Sequence, residues 1–151
     1  MLKKLIAASL IASTLAVVGC TSMPSSTQQA KNLELLQNKT WVMTHIGAVE
    51  YKTDPRANNI PSIQFDGNEM RVSGADGCNR LMGTYAVKGN QITLGQMGAT
   101  QMMCMGTMEL AGKYTEALNK VASYQVYEKT LKLLDRHGNV VLQYTSAIQP
   151  R

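Results

Sequence analysis

Beyond its N-terminal segment, the chain alternates apolar and polar side chains in short runs separated by turn residues. Trp41–Ile46 is an apolar-rich run that suits a strand. Ile63 and Phe65 share one face of Ser62–Phe65, and Met70 and Val72 share one face of Met70–Ser73. Between these two runs, Asp66-Gly67-Asn68 is a hairpin signal. Leu81, Tyr85 and Val87 line one face of the next strand with Gly83 between them, Lys88-Gly89-Asn90 makes a turn, and Ile92 and Leu94 continue the alternation. The period then changes: Ala111, Tyr114, Leu118 and Val121 fall on one helical face, so 107–121 reads as a helix. Thr107 is its expected N-cap, with Glu109 in the first turn where the helix dipole favours an anion. Gly112 weakens this helix by up to about 1 kcal/mol. Tyr124 with Val126 and Leu131 with Leu133 return to strand alternation, and Asp135–Asn139 is the turn before Val140–Tyr144. Short strands joined by tight turns, with one late helix, predict a mainly β fold. The expected form is a small antiparallel curved sheet or partly open β-barrel, with the helix packed on a face or end.

The first twenty residues read as an address. Lys3 and Lys4 precede an uncharged run of 14 residues, Leu5–Val18. This is a secretory signal pattern, too short for the roughly 20 residues of a membrane-spanning helix. Val17-Val18-Gly19-Cys20 resembles a bacterial lipobox, in which a small residue precedes a cysteine whose thiol takes a diacylglyceryl group. The resemblance implies removal of residues 1–19 and acylation of Cys20 by chains such as palmitate. Stable anchoring takes at least two chains, at about 0.8 kcal/mol per buried methylene. Thr21 stands where inner-membrane retention would call for Asp, which favours the periplasmic face of the outer membrane.

Composition narrows the picture further. With 151 residues and 44% apolar content the chain is one domain's worth and too apolar to be wholly disordered. The formal charge is +5; loss of residues 1–19 removes two lysines and no acid, leaving 13 basic against 10 acidic residues. An excess this mild serves solubility and points to no nucleic-acid partner. Residues 20–34, the lipidated cysteine and a Ser/Gln-rich stretch, read as a flexible tether. The domain is placed at 35–145, with 146–151 as a C-terminal tail, and the expected state is a monomer.

Two segments carry a specific likeness. Gly74-Ala75-Asp76-Gly77-Cys78-Asn79-Arg80-Leu81-Met82-Gly83-Thr84-Tyr85 and Ala99-Thr100-Gln101-Met102-Met103-Cys104 together resemble the META domain, an HslJ-like family of bacterial envelope lipoproteins. Trp41 near the domain start and the Leu131–Leu133 strand also fit. Gln101 departs from the arginine common at that position. The resemblance implies a small β-barrel or strongly curved sheet with a packed helix, no catalytic activity, and an association with heat shock and envelope stress.

Candidate chemistry is sparse. With Cys20 consumed by lipid, Cys78 and Cys104 remain as an even pair, and an oxidising periplasm makes a disulfide their default. The alternative is a reactive thiol with His45 or His137 as base. Gly74 and Gly77 lack the Lys-Ser/Thr ending of a phosphate loop and are expected to supply positive φ at a bend. Asn79 and Arg80 are expected to fix that bend by hydrogen bonds. Five methionines crowd into 97–108: Met97, Met102, Met103, Met105 and Met108. Thioethers suit Cu(I), but they also form adaptable partner surfaces. Adjacent Met102 and Met103 would face opposite sides of a strand, which favours the partner surface. Glu109 and Glu116 share a helical face, as a pair of acid/base carboxylates would, although a solvated face is the commoner meaning. No cofactor or resident metal is expected. The overall expectation is a non-enzymatic module that binds an envelope protein or lipid. Alternatives are an inhibitor of a lysozyme or protease and a Cu(I)-handling protein.

Overall fold

The alternation of side chains along the chain becomes the inside and outside of a barrel. The computed structural model describes residues 24–53 and 58–147. Cys20, the signal segment and residues 148–151 lie outside them. In chain order the elements are α1 (Ser26–Leu36), β1 (Thr40–Ile46), β2 (Val49–Glu50), β3 (Ser62–Asp66), β4 (Arg71–Ala75), β5 (Arg80–Lys88), β6 (Gln91–Ala99), α2 (Met108–Asn119), β7 (Val121–Tyr127), β8 (Thr130–Asp135) and β9 (Val140–Ser146). Strands β3 to β9 pair antiparallel in sequence order, β1 pairs with β3, and β9 returns to β1 from Trp41↔Ser146 to Ile46↔Leu142. Eight strands therefore close a barrel, and β2 adds a two-residue extension to β1 at His45 and Ile46. The antiparallel barrel expected to be partly open is closed by the β1–β9 pairing, which removes the long free edges of an open sheet. The narrowest seam is β6–β7, where Gln91↔Ser123 is the paired position.

Inward positions are the apolar members of each alternation. Trp41, Met43, Ile63, Phe65, Val72, Leu81, Tyr85, Ile92, Tyr124, Val126, Leu131, Leu133, Leu142 and Tyr144 are buried from the strands, and Tyr114, Ala117 and Leu118 from α2. Fully burying one such side chain stabilises by about 1.5–3 kcal/mol. Tight turns connect the strands. Asp66 Oδ1 accepts from Asn68 N at 2.8 Å, and Asp135 Oδ1 accepts from His137 N and Asn139 N at 2.8 and 2.9 Å.

Three expectations are corrected. The tether assigned to 20–34 is helical from Ser26, because Ser25 Oγ accepts from Gln28 N at 3.3 Å and Leu33, Leu35 and Leu36 pack on the core. The Trp41 indole N–H closes the other end of α1, donating to Leu36 O at 2.9 Å. Met70 is not a strand residue: it sits in the β3–β4 turn at φ 53, where its side chain leaves the core face. The tail assigned from residue 146 starts later, since Ser146 belongs to β9 and Ala147 N donates to Thr40 O at 3.0 Å. Helix α2 occupies the expected stretch, although the Thr107 side chain makes no cap hydrogen bond.

Candidate functional site

The two sequence motifs meet where β4 turns into β5. Gly74 comes first, and its expected role is corrected. It does not supply positive φ; a Cβ there would lie 2.1 Å from the Ser62 carbonyl oxygen, so glycine is required by the close approach of β3. Gly77 does take positive φ, at 99°. Around it the bend is tied by side chains. Buried Asp76 accepts through Oδ1 from Cys78 N at 2.9 Å and Asn79 N at 2.6 Å, and Asp76 N donates to Asn79 O at 3.1 Å. Asn59 braces the same bend, donating from Nδ2 to Cys78 O at 2.6 Å and accepting from Gly77 N at 2.9 Å through its carbonyl.

The bend then holds the segment after β6. Asn79 Oδ1 accepts from Met102 N at 2.7 Å and from Thr100 Oγ1 at 3.4 Å, and Thr100 Oγ1 accepts from Arg80 N at 3.0 Å. Two residues beyond Met102, Cys104 is bonded to Cys78, with Cα atoms 5.7 Å apart. Closing a loop of this length contributes roughly 3–4 kcal/mol in the chain-entropy model. The Asn79 side chain thus holds the segment after β6 at Thr100 and Met102, while the bend it was expected to fix is tied by Asp76. Arg80 contributes its backbone N–H rather than its guanidinium, which lies on the outer wall of the barrel.

The stapled segment between β6 and α2 carries the methionines. It is a loop, so the opposed strand faces expected for Met102 and Met103 do not arise. Met103 is 93% exposed, Met105 is fully exposed, and Met102 and Met108 are about half exposed. Met108 Sδ lies 4.0 Å from Cys78 Sγ, and Met102 Sδ lies 4.0 Å from Asn59 Nδ2. Met97 is separate from this group: it packs against the core beside Gly83, whose added Cβ would lie 2.6 Å from Met97 Sδ. It belongs to the barrel wall and not to the exposed surface.

The remaining motif residues build the barrel. Tyr85 accepts from Gln37 Nε2 at 2.7 Å and donates to Asp66 O at 3.0 Å, with its ring edge-on to Phe65 at 5.0 Å. Burial pushes its pKa up. Tyr114, which no motif marks, donates to Ser62 O at 3.2 Å, and its hydroxyl lies 2.9 Å from that of Tyr144. Burial raises both pKa values, Tyr144 well above the ordinary range.

The catalytic alternatives lose their components. Bonded to each other, Cys78 and Cys104 offer no thiolate. His45 Nδ1 sits 2.9 Å from Thr44 Oγ1, and exposed His137 accepts from Arg136 Nε at 3.1 Å. Glu109 and Glu116 are exposed and paired at 2.7 Å with Lys113 and Lys120, one helical turn on. Hydrogen bonds from these lysines hold both carboxyls below the usual range, which suits a solvated ion pair and not a proton donor. Among the described residues no group of three or more His, Cys, Asp or Glu side chains is placed to hold a metal, and no helix is long and apolar enough to cross a membrane.

Comparison with known proteins agrees with this geometry. The META domain profile matches residues 34–147. No curated protein matches the chain. Among solved structures, an NMR structure of a protein from Burkholderia xenovorans has TM-score 0.63 at 22% identity, covering 98% of this chain and 100% of its own. A second NMR structure has TM-score 0.58 at 26% identity, covering 74% of this chain and 92% of its own. A crystal structure of a DUF4847-family protein from Bacteroides vulgatus has TM-score 0.56 at 16% identity, covering 78% and 98%.

Proposed function

The chain belongs to the META domain family, and from that premise we propose that it is a non-enzymatic, HslJ-like envelope lipoprotein. In this reading Cys20 carries the lipid, the barrel stands on the periplasmic face of the outer membrane, and the methionine loop docks an envelope protein to support the envelope under stress. The observation that carries the proposal is the exposure of Met102, Met103 and Met105 on a loop fastened by the Cys78–Cys104 bond, with half-exposed Met108 opening α2 beside it. Exposed apolar clusters mark interaction sites, and thioethers adapt to varied partner shapes. A loop already fastened loses less conformational freedom when it binds. No charged residue occurs from Gln91 to Met108, so a partner meets the loop without desolvating an ion there.

The test is crosslinking in cells of the full lipidated protein, with and without heat shock, followed by mass spectrometry. The expected result is an enriched envelope protein that disappears in a Met102→Ser, Met103→Ser, Met105→Ser variant and persists in His137→Ala. Recovery of a lysozyme or protease would specify an inhibitor. An unchanged partner list in the methionine variant, or no enriched partner, would overturn the docking role of the loop. Cys20→Ala should release the protein from the membrane fraction; retention would overturn the lipid anchor.

A further inference from the structure

Strand direction sorts the connections of the barrel into two ends. The Asp76–Asn79 bend, the methionine loop and α2 lie at one end, where Tyr114 donates to Ser62 O and Cys104 is bonded to Cys78. The β3–β4, β5–β6 and β7–β8 turns lie at the other, together with α1. The last turn of α1 is fixed there, since Asn38 N donates to Phe65 O at 2.8 Å and Gln37 Nε2 to Tyr85 Oη at 2.7 Å. Its first turn is at the same end. Gln29 Nε2 donates to Pro24 O at 2.9 Å, and a Cβ on Gly89 would lie 3.6 Å from the same nitrogen. Pro24, from which the chain leads back to Cys20, therefore sits beside the β5–β6 turn.

Length then decides which end meets a membrane. Five residues lead from Cys20 to Ser25, the N-cap of α1. Fully extended they span about 17 Å, and as a flexible chain about 12 Å. Strand β5 runs through nine residues from Arg80 at the α2 end to Lys88 at the α1 end. At ~3.3 Å per residue and a barrel tilt of ~40°, about 20 Å of wall separates the two ends. Helix α2 and the methionine loop lie beyond that wall. A lipid on Cys20 thus keeps the α1 end within one tether length of the bilayer, and the tether is too short for the barrel to stand on its α2 end. Exposed methionines alone would favour the opposite posture; the tether overrules them.

The α1 end also carries side chains suited to a lipid surface. Tyr127 is 75% exposed at the β7–β8 turn, and Lys88 and Lys129 are exposed at this turn and the neighbouring β5–β6 turn. Both turns are tight, with Gly89 at φ 63 and Glu128 at φ 49. Tyrosine rings concentrate at membrane interfaces, and lysines near the surface are drawn to anionic head groups. Glu128 shares the second tip, so charge alone does not carry the contact. It need only be weak, because the tether makes it intramolecular.

We propose that the barrel stands on the phospholipid surface by its α1 end, with Tyr127, Lys88 and Lys129 at the head groups and the methionine loop on the opposite side. This rests on the reading of Cys20 as the lipid anchor and deepens it: the partner of the loop approaches from the periplasm and is not the bilayer that holds the anchor.

The test is quenching of a fluorophore by head-group nitroxide lipid, with the full lipidated protein in vesicles of phosphatidylethanolamine and phosphatidylglycerol. With Cys20 acylated and Cys78 bonded to Cys104, an introduced cysteine is the one thiol to label. Labels at Lys88→Cys and Lys129→Cys should lose fluorescence, while labels at Met103→Cys and Met105→Cys keep it. All four positions are exposed, so the fold should tolerate the change. Tyr127→Ser should lessen the loss at Lys129→Cys; an unchanged loss would overturn its place at the head groups. Quenching at the methionine positions, or at none of the four, would overturn the posture. Flotation separates this from the anchor. If the wild-type chain floats with the vesicles no better than Cys20→Ala, the anchor reading fails and the posture with it; if it floats and the quenching pattern is absent, the posture alone fails.

Discussion

Met43 and Met103 carry the same side chain to opposite extremes: Met43 is 1% exposed inside the barrel and Met103 is 93% exposed on the loop. The surroundings of the two differ as much as their exposure. Met43 lies on β1, whose backbone pairs with the neighbouring strands β3 and β9, and burial of apolar side chains from strands and helices holds the arrangement. Around Met103 there is neither ladder nor core. Position there comes from Asn79 and the disulfide, which hold the segment at Thr100, Met102 and Cys104 while Met103 and Met105 face water. The comparison teaches that apolar content has two uses in this chain. In the wall it stabilises the fold; in the loop it is displayed by a fold stabilised elsewhere.

The largest expected effect falls on the wall. Trp41→Ala removes a fully buried ring and its bond to Leu36 O, and should cost about 3–5 kcal/mol by denaturant unfolding. Loosening of α1 should accompany it, because that bond closes the helix. The disulfide comes next. Cys78→Ala with Cys104→Ala should cost roughly 3 kcal/mol. Hydrogen exchange would separate the two regions here: the loop should lose protection while β7, β8 and β9 keep theirs. A uniform loss of protection would mean that the staple holds the barrel and not the loop.

Legibility in the sequence divides along the same line. Wall strands such as Leu131–Leu133 were legible because a period of two fixes which side chains face inward. Closure was not, since alternation names a face and not a partner; β1 finds β9 about a hundred residues away. Helix α1 was hidden by its polar first turns, and the signal that marks it is the capping pair Ser25 and Gln28 ahead of Leu33 and Leu36. At the site, cysteine parity yielded the disulfide and the paired motifs pointed to Asn79 and Thr100. Asp76 was missed, although a short carboxylate before Gly-Cys-Asn is the chemistry of a side-chain-capped turn.

Two interior tyrosines sharpen the account of the wall with a smaller effect. Tyr114→Phe removes the donor to Ser62 O and the partner of Tyr144, so about 1–3 kcal/mol should be lost. Tyr124 is the contrast, since its buried hydroxyl has no partner among the described residues. Tyr124→Phe should be neutral or stabilising. Tyr114 and Tyr144, hydroxyl to hydroxyl, also set a pH limb. Burial raises the pKa of Tyr114 and Tyr144 above the unfolded value of 10.0. The folded state therefore keeps these protons where the unfolded chain releases them. Their contribution is full below about pH 10 and falls as pH rises beyond it. Tyr144→Phe should flatten that alkaline limb in stability measured against pH.

The smallest expected change is the most informative about the loop. Met103→Ser with Met105→Ser replaces two side chains that touch little of the fold. Stability should move by no more than about 0.5 kcal/mol, the usual range for surface sites. Removing exposed apolar surface also gives no reason for a loss. If the pair instead cost as much as a core substitution, the loop would be packed in solution against something within the chain, and the contrast with Met43 would fail. If stability holds while crosslinking to a partner disappears, the methionines act outward: the fold carries them without depending on them.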